Sequence, residues 1–331
     1  MATRPLSRKV LQEAIDAVNG CGGNACLAAK TILGIPRETL QGRLRSAALV
    51  GLVPHKMEPT LQFRMPLPYA VKKTVHKPLK FNRPIKIFVL PDAQVKPGID
   101  LSHLALVGRY VAEKKPDVIV CIGDFADMSS LSSYDVGKKS FEGRSYKADI
   151  AAAKAGMITF LSPIKKEMEK ADWRPRFVLT LGNHENRIDR AVENDRKLDG
   201  TIGIEDLGYD KDWEVYPFLE PVEIAGIQFC HYFTSGVMGR PITTANALIN
   251  KKHQSCVAGH QQGRQVAYGQ KADGSQITAI IAGSCYLHNE DYLGYQGNKH
   301  WRGCFMLHEC ENGSSDEMFV SLKYLAQRYA K

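Results

Sequence analysis

Asn183, His184 and Arg187 stand together behind Gly182, at the end of an apolar run over residues 177–181. An amide oxygen is a hard ligand, an imidazole nitrogen titrates near neutrality, and a guanidinium is a fork shaped for phosphate oxygens. The apolar run reads as a buried strand ending in a glycine turn. A strand that delivers these three side chains to its carboxyl end builds a site there. The blander reading is a turn followed by a charged helix.

Four other apolar runs also end in ligand-type residues. Residues 87–90 lead to Asp92, with Gln94 two positions on, and residues 118–122 lead to Gly123-Asp124, with Asp127 three positions later. Residues 226–230 lead to His231, and residues 255–258 lead to Gly259-His260, with Gln262 beyond. In order these blocks are D-x-Q, GDxxD, GNHExR, H and GHxQ. The series resembles the calcineurin-like metallophosphoesterases, whose pattern is D-x-H, GD, GNH(D/E), H, GHxH, and in detail their phage-type members. The resemblance spans roughly residues 84 to 310 and lies in the order of five blocks.

That resemblance implies two divalent metals and assigns roles residue by residue. Asp124 matches the bridging carboxylate, and Asn183, His231 and His260 match the other ligands of one metal. Asp92 matches a ligand of the second, where Gln94 and Gln262 replace the usual histidines. His184 matches the histidine that serves the leaving oxygen without holding metal, Asp127 the aspartate that orients it, and Arg187 a phosphate-binding arginine. A second arginine, which would follow Asp127, is Met128 here. Amide oxygens are hard, neutral donors that suit magnesium or manganese better than zinc. The expectation is therefore one tight and one weak site for Mn2+ or Mg2+.

The elements that must position these residues follow from the rest of the chain. With 331 residues and 44% hydrophobic content there is material for one large domain and a small one. From residue 84 the pattern alternates strand and helix, with helices expected over 101–114 and 148–170, giving a parallel βαβαβ half. A hairpin is expected around residues 224–227, and strands over 276–281 and 303–308 are expected to complete a second, more antiparallel half. The fold class is α/β, and the resemblance implies a two-sheet αββα sandwich with the site at one edge. Residues 129–146 read as a loop over the site, and Tyr232, on the far face of a strand from His231, reads as packing. His288, His300, Trp301 and Arg302 are left outside the site.

Charge divides the chain unevenly. Residues 1–91 hold 15 Lys and Arg against four acids, a net +11, while residues 92–331 carry −2. Attraction to polyanions therefore belongs to the N-terminal quarter. Within it, residues 27–44 resemble the helix-turn-helix of Fis-type regulators, with Leu40 and Leu44 facing inward. Arg37, Glu38, Gln41 and Arg45 would face out, and Arg37, Gln41 and Arg45 are the groove-facing set. The alternative is a helical hairpin that packs on a protein surface. Residues 51–83, rich in proline and including Lys72, Lys73, Lys77, Lys80 and Arg83, read as a basic linker. The domains expected are thus 1–50, a linker 51–83, and 84–331.

No run of eighteen apolar residues exists and the N-terminus leads into no export core, so the expectation is a protein without membrane span or secretion. Eight scattered cysteines suit reduced thiols in a cytoplasm, the host's if the chain is phage-encoded. The functional expectation is a metal-dependent phosphoesterase acting on nucleic acid through residues 1–83, as a nuclease or an end-processing phosphatase. The alternatives are a protein or nucleotide phosphatase, and a DNA-binding protein whose altered metal site no longer turns over.

Overall fold

The computed structural model describes residues 6–21, 24–52, 81–290 and 293–329. The chain divides into two compact units, Met1–His76 and Lys77–Lys331. Most of the linker, with Lys72, Lys73, Lys77 and Lys80, lies outside the described residues. Arg83 is described, and pairs with Asp117 at 2.5 Å.

Among its described residues the first unit holds three helices: α1 (Arg8–Gly20), α2 (Ala25–Leu27, continuing as a π-helical stretch Ala28–Leu33) and α3 (Arg37–Leu49). Asn24 caps α2 by accepting the Leu27 amide at 3.1 Å. Gly34, at φ 60°, ends the π-helical stretch in the left-handed conformation, and Pro36 opens α3. Ala14, Val18, Ala28, Ala29 and Leu40 form a small core, and Leu44 packs half-buried against it. The expected helix, turn and second helix are present.

The second unit is built on two sheets. Its strands are β1 (Ile85–Leu90), β2 (Val118–Cys121), β3 (Arg176–Thr180), β4 (Glu214–Tyr216), β5 (Val222–Ile224), β6 (Ile227–Cys230), β7 (Thr234–Ser235), β8 (Arg240–Pro241), β9 (Cys256–Ala258), β10 (Gln265–Gln270), β11 (Gln276–Ile281), β12 (Gly303–Glu311) and β13 (Ser314–Ser321). Its helices are α4 (Ser102–Lys114), α5 (Tyr146–Lys170), α6 (Arg187–Asn194), α7 (Ala245–Lys252), α8 (Gly294–Gly297) and α9 (Leu322–Tyr329). The six-stranded sheet runs β13-β12-β1-β2-β3-β4, with β1 to β4 parallel. The five-stranded sheet runs β10-β11-β9-β6-β5.

Alternation along the strands sorts side chains into layers. Ile87, Val89, Val120 and Val178 face Ile227, Phe229, Val257 and Ile280 between the sheets. Phe88, Leu90, Ile119 and Leu179 point the other way, onto Leu104 and Val107 of α4 and Phe160 of α5. Beyond the second sheet, Cys256, Ala279 and Ile281 meet Leu248 and Ile249 of α7. The unit is thus an α/β sandwich of two sheets with helices outside.

One strand departs from expectation. β12 belongs to the first sheet, antiparallel to β1, and not to the second. Both of its faces are buried, Cys304 and Met306 on the helix side, Phe305 and Leu307 between the sheets. A strand covered on both sides fits an interior place in the larger sheet. The β5–β6 hairpin turns as expected at Ala225 and Gly226, both at positive φ. All eight cysteines are free, and no helix among the described residues is long and apolar enough to cross a membrane.

Candidate metal centre and its acid–base pair

Five strand ends carry the site. Asp92 follows β1, Asp124 follows β2 and Asn183 follows β3, three adjacent strands of the first sheet. His231 follows β6 and His260 follows β9, adjacent in the second. Glycines let these loops close on one another. A side chain at Gly182 would collide with the Asp124 carboxylate, and a Cβ at Gly259 would sit 2.5 Å from Asp92 Oδ1. Gln94, Asp124, His260 and Gln262 all adopt positive φ, between 42° and 68°. Non-glycine residues hold that conformation only under constraint from their surroundings, and such strain gathers at functional sites.

The first donor set converges tightly. Ligand atoms of Asp124, His231 and His260 lie within 4.8 Å of one another. Asn183 Oδ1 lies 2.9 Å from His231 Nε2 and 2.7 Å from His260 Nδ1, and His231 Nε2 is 3.2 Å from Asp124 Oδ2. His231 donates from Nδ1 to the Ile122 carbonyl at 3.0 Å, since a carbonyl only accepts. That orients the ring and turns Nε2 toward Asn183 Oδ1 and Asp124 Oδ2. Burial opposes charge on His231, but Asp124 outweighs it and raises the ring to about 9. Burial and then the charge of His231 push His260 down to about 4, so that ring is neutral near pH 7. Burial alone would raise Asp124, but His184 and His231 reverse it and hold the carboxyl low.

The second expected set is Asp92, Gln94 and Gln262. Asp92 is fully buried and accepts the His260 amide at 3.0 and 3.2 Å. Burial pushes its carboxyl up to about 7, against the pull of His231 and with the push of Asp124. Gln94 is 1% exposed, and neither Oε1 nor Nε2 has a hydrogen-bond partner. A buried amide left bare costs about 1–3 kcal/mol, which an oxygen-seeking cation would offset. Gln262 Oε1 accepts the Tyr286 hydroxyl at 2.8 Å, so its ligand oxygen is shared. The oxygen and imidazole donors of Asp124, Asn183, His231 and His260 fit a divalent metal, and the orphaned amide of Gln94 suits a hard cation.

Beside the donors stands an imidazole–carboxylate pair. His184 donates from Nδ1 to Asp127 Oδ1 at 2.8 Å and holds Asp124 Oδ1 through its amide at 2.9 Å. Its Nε2 is 3.7 Å from Asp124 Oδ2 and 3.2 Å from Arg187 Nη2. Burial lowers the ring, but Asp124 and Asp127 outweigh it and the net shift is upward. Arg187 Nη1 reaches the Asp127 carbonyl at 2.8 Å and its Oδ1 at 3.3 Å. The guanidinium expected to grip phosphate therefore also holds this pair in place. Met128, where the second arginine would stand, is fully buried.

Several contributors were not foreseen. Tyr232 is not packing on the far face: β6 ends at Cys230, alternation stops, and the ring lies 4.8 Å from that of His260. Glu185 is fully buried and accepts the amides of Gly182, Asp124 and Ala126, each at 2.9 Å. Its place inside GNHENR was the available signal. His288 stacks on Tyr286 at 4.5 Å, and His300 bonds Ser284 at 2.7 Å. Arg302 lies over the Tyr286 ring at 4.8 Å, so these residues back Gln262. The loop after Met128 is tied down by Asp149, which accepts the Ser130 amide at 2.8 Å, and by Arg144 on the Ser129 carbonyl at 3.0 Å. In the first unit, Arg37, Glu38 and Arg45 of α3 are exposed and Gln41 is half-buried.

No protein-family model matches the chain, and no curated protein matches it. One solved crystal structure is 12% identical and aligns with 72% of this chain and 99% of its own, at a TM-score of 0.30. Likeness that low carries no argument about fold or function.

Proposed function

We propose that the second unit is a divalent-metal phosphoesterase with the calcineurin-like fold and ligand plan. The observation that carries this reading is the convergence of Asp124, Asn183, His231 and His260 next to the His184–Asp127 pair. Asp124, Asn183, His231 and His260 would hold one ion, and Asp92, Gln94 and Gln262, with Asp124 shared, the other. Bound there, divalent ions supply an activated water near neutral pH and neutralise phosphoryl oxygens. His184, fixed through Nδ1 by Asp127, presents Nε2 to protonate the departing oxygen. Arg187, poised against that same nitrogen, turns to the phosphoryl group. Hydrolysis of an aryl phosphate monoester and diester, with manganese, magnesium or zinc after chelation, tests the reading. Absence of metal-dependent turnover on either ester would sink it.

The preferred substrate class is nucleic acid. Support comes from the +11 charge of residues 1–91 and from Arg37 and Arg45, exposed on the second helix after a Gly34-Ile35-Pro36 turn. Taking one basic side chain off a phosphate lowers the slope of log affinity against log salt by about one. Replacing both arginines by alanine in the full chain should lower that slope by about two, without changing hydrolysis of a small ester. An unchanged salt series would place the polyanion surface elsewhere.

A further inference from the structure

Lys96 is a cation that the site just described leaves unused. Its Nζ lies 2.8 and 2.9 Å from the two Glu290 oxygens, and 3.8 Å from Asp127 Oδ2. Asp127 Oδ1 meanwhile takes His184 and Arg187. The carboxylate that orients His184 is thus flanked by two cations, Arg187 on one oxygen and Lys96 on the other. Two of the three ammonium hydrogens are used on Glu290, and Asp127 is beyond hydrogen-bond length for the third.

Lys96 is also the accessible member of its cluster. Its side chain is 24% exposed, against 11% for Asp127 and 8% for Glu290. Glu290 has a second partner, His288 Nε2 at 2.6 Å, so it keeps a donor when Lys96 leaves. A lysine is a point charge on a flexible four-carbon stem, able to swing to a nearby anion. A phosphate monoester carries about 1.5 to 2 negative charges at neutral pH, whereas a diester carries one. A second cation beside Asp127, the partner of His184, therefore discriminates between them by charge.

We propose that Lys96 binds substrate, leaving Glu290 to grip the phosphoryl oxygens, and that a terminal phosphate monoester is the substrate class of this site. The inference rests on the phosphoesterase reading and narrows it from nuclease to end-processing phosphatase. Charge-assisted hydrogen bonds of this kind are worth roughly 10- to 100-fold in affinity.

The test uses the metal-loaded full chain with an aryl monoester, a bis-aryl diester and inorganic phosphate as inhibitor. The unaltered protein should favour the monoester in kcat/KM. Lys96→Met should raise the monoester KM and the phosphate inhibition constant about 10- to 100-fold, and lower diester kcat/KM only about 3-fold. Lys96→Arg should retain the monoester preference. Preference for the diester, equal losses on both esters, or unchanged phosphate inhibition would overturn the proposal; equal losses would mark Lys96 as a residue that only orients Asp127. If neither ester turns over, the enzymatic reading has failed by itself. Calorimetric binding of phosphate then decides Lys96, and equal affinity in the unaltered chain and Lys96→Met overturns it.

Discussion

Glu185 Oε2 accepts the backbone amide of Asp124 at 2.9 Å, deep under the site. The same carboxylate takes the amides of Gly182 and Ala126, so one side chain ties the loop after β2 to the loop after β3. Glu185→Gln would turn one acceptor oxygen into a donor facing a backbone donor. The expected cost is about 2–4 kcal/mol of stability, with loss of metal because Asp124 is released from its strained conformation. Chemical denaturation and metal analysis check this together. A variant of unchanged stability would show that Glu185 is dispensable.

His184→Asn should lower turnover by roughly 10²–10⁴-fold, the usual worth of a positioned proton donor. Metal content should stay as it was, because the ring bonds Asp127 and not the converging donors. Metal analysis on the purified variant separates the roles: depletion there would make His184 a ligand.

Metal binding should release protons. His231, raised to about 9, carries a proton near pH 7, and Asp92, at about 7, is about half protonated. His260, pushed down to about 4, is already free to donate. A raised pKa means a tighter proton, and that proton competes with the ion. Affinity at the first set should therefore climb about tenfold per pH unit between pH 7 and about 9, then level off. Calorimetry in two buffers of different protonation heat counts the released protons. Affinity flat across that window would remove His231 from the ligand set.

Occupancy should be uneven. The first set brings two imidazoles, a carboxylate and an amide, while the second relies on Asp92 with Gln94 and a Gln262 oxygen already engaged by Tyr286. One ion should survive purification and the second should need to be supplied, with manganese or magnesium activating more than zinc. Gln94→His should tighten the second place, and Tyr286→Phe, which frees the Gln262 oxygen, should do so modestly. Two equally tight ions in the unaltered chain would show that these amides bind as well as histidine.

Much of the site was legible because each donor follows an apolar run into a turn, a pattern set by local sequence. The βαβαβ half and the turn between α2 and α3 were legible for the same reason. β12 was misplaced because its apolar residues alternate between two cores, and a run buried on both faces announces no partner. Strand alternation sends Tyr232 to the far face only if β6 continues two residues past Cys230, where it ends. The contact of Lys96 with Glu290 crosses 194 residues, and no spacing rule reaches that far. Glu185 was visible in its motif, but its task of holding three amides appears only once two loops are folded together.

The place of β12 beside β1 has a consequence for how the chain is made. During synthesis β1 emerges early, and its neighbour on one side does not exist until residues beyond 303 have been translated. Until then β1 presents a bare edge of strongly apolar sequence, open to wrong pairing with another chain. The strand that leads to Asp92 is therefore among the first made and the last completed. Nascent chains of this protein should depend on protection at that edge, because the ribosome releases the donors of the site before it releases β12.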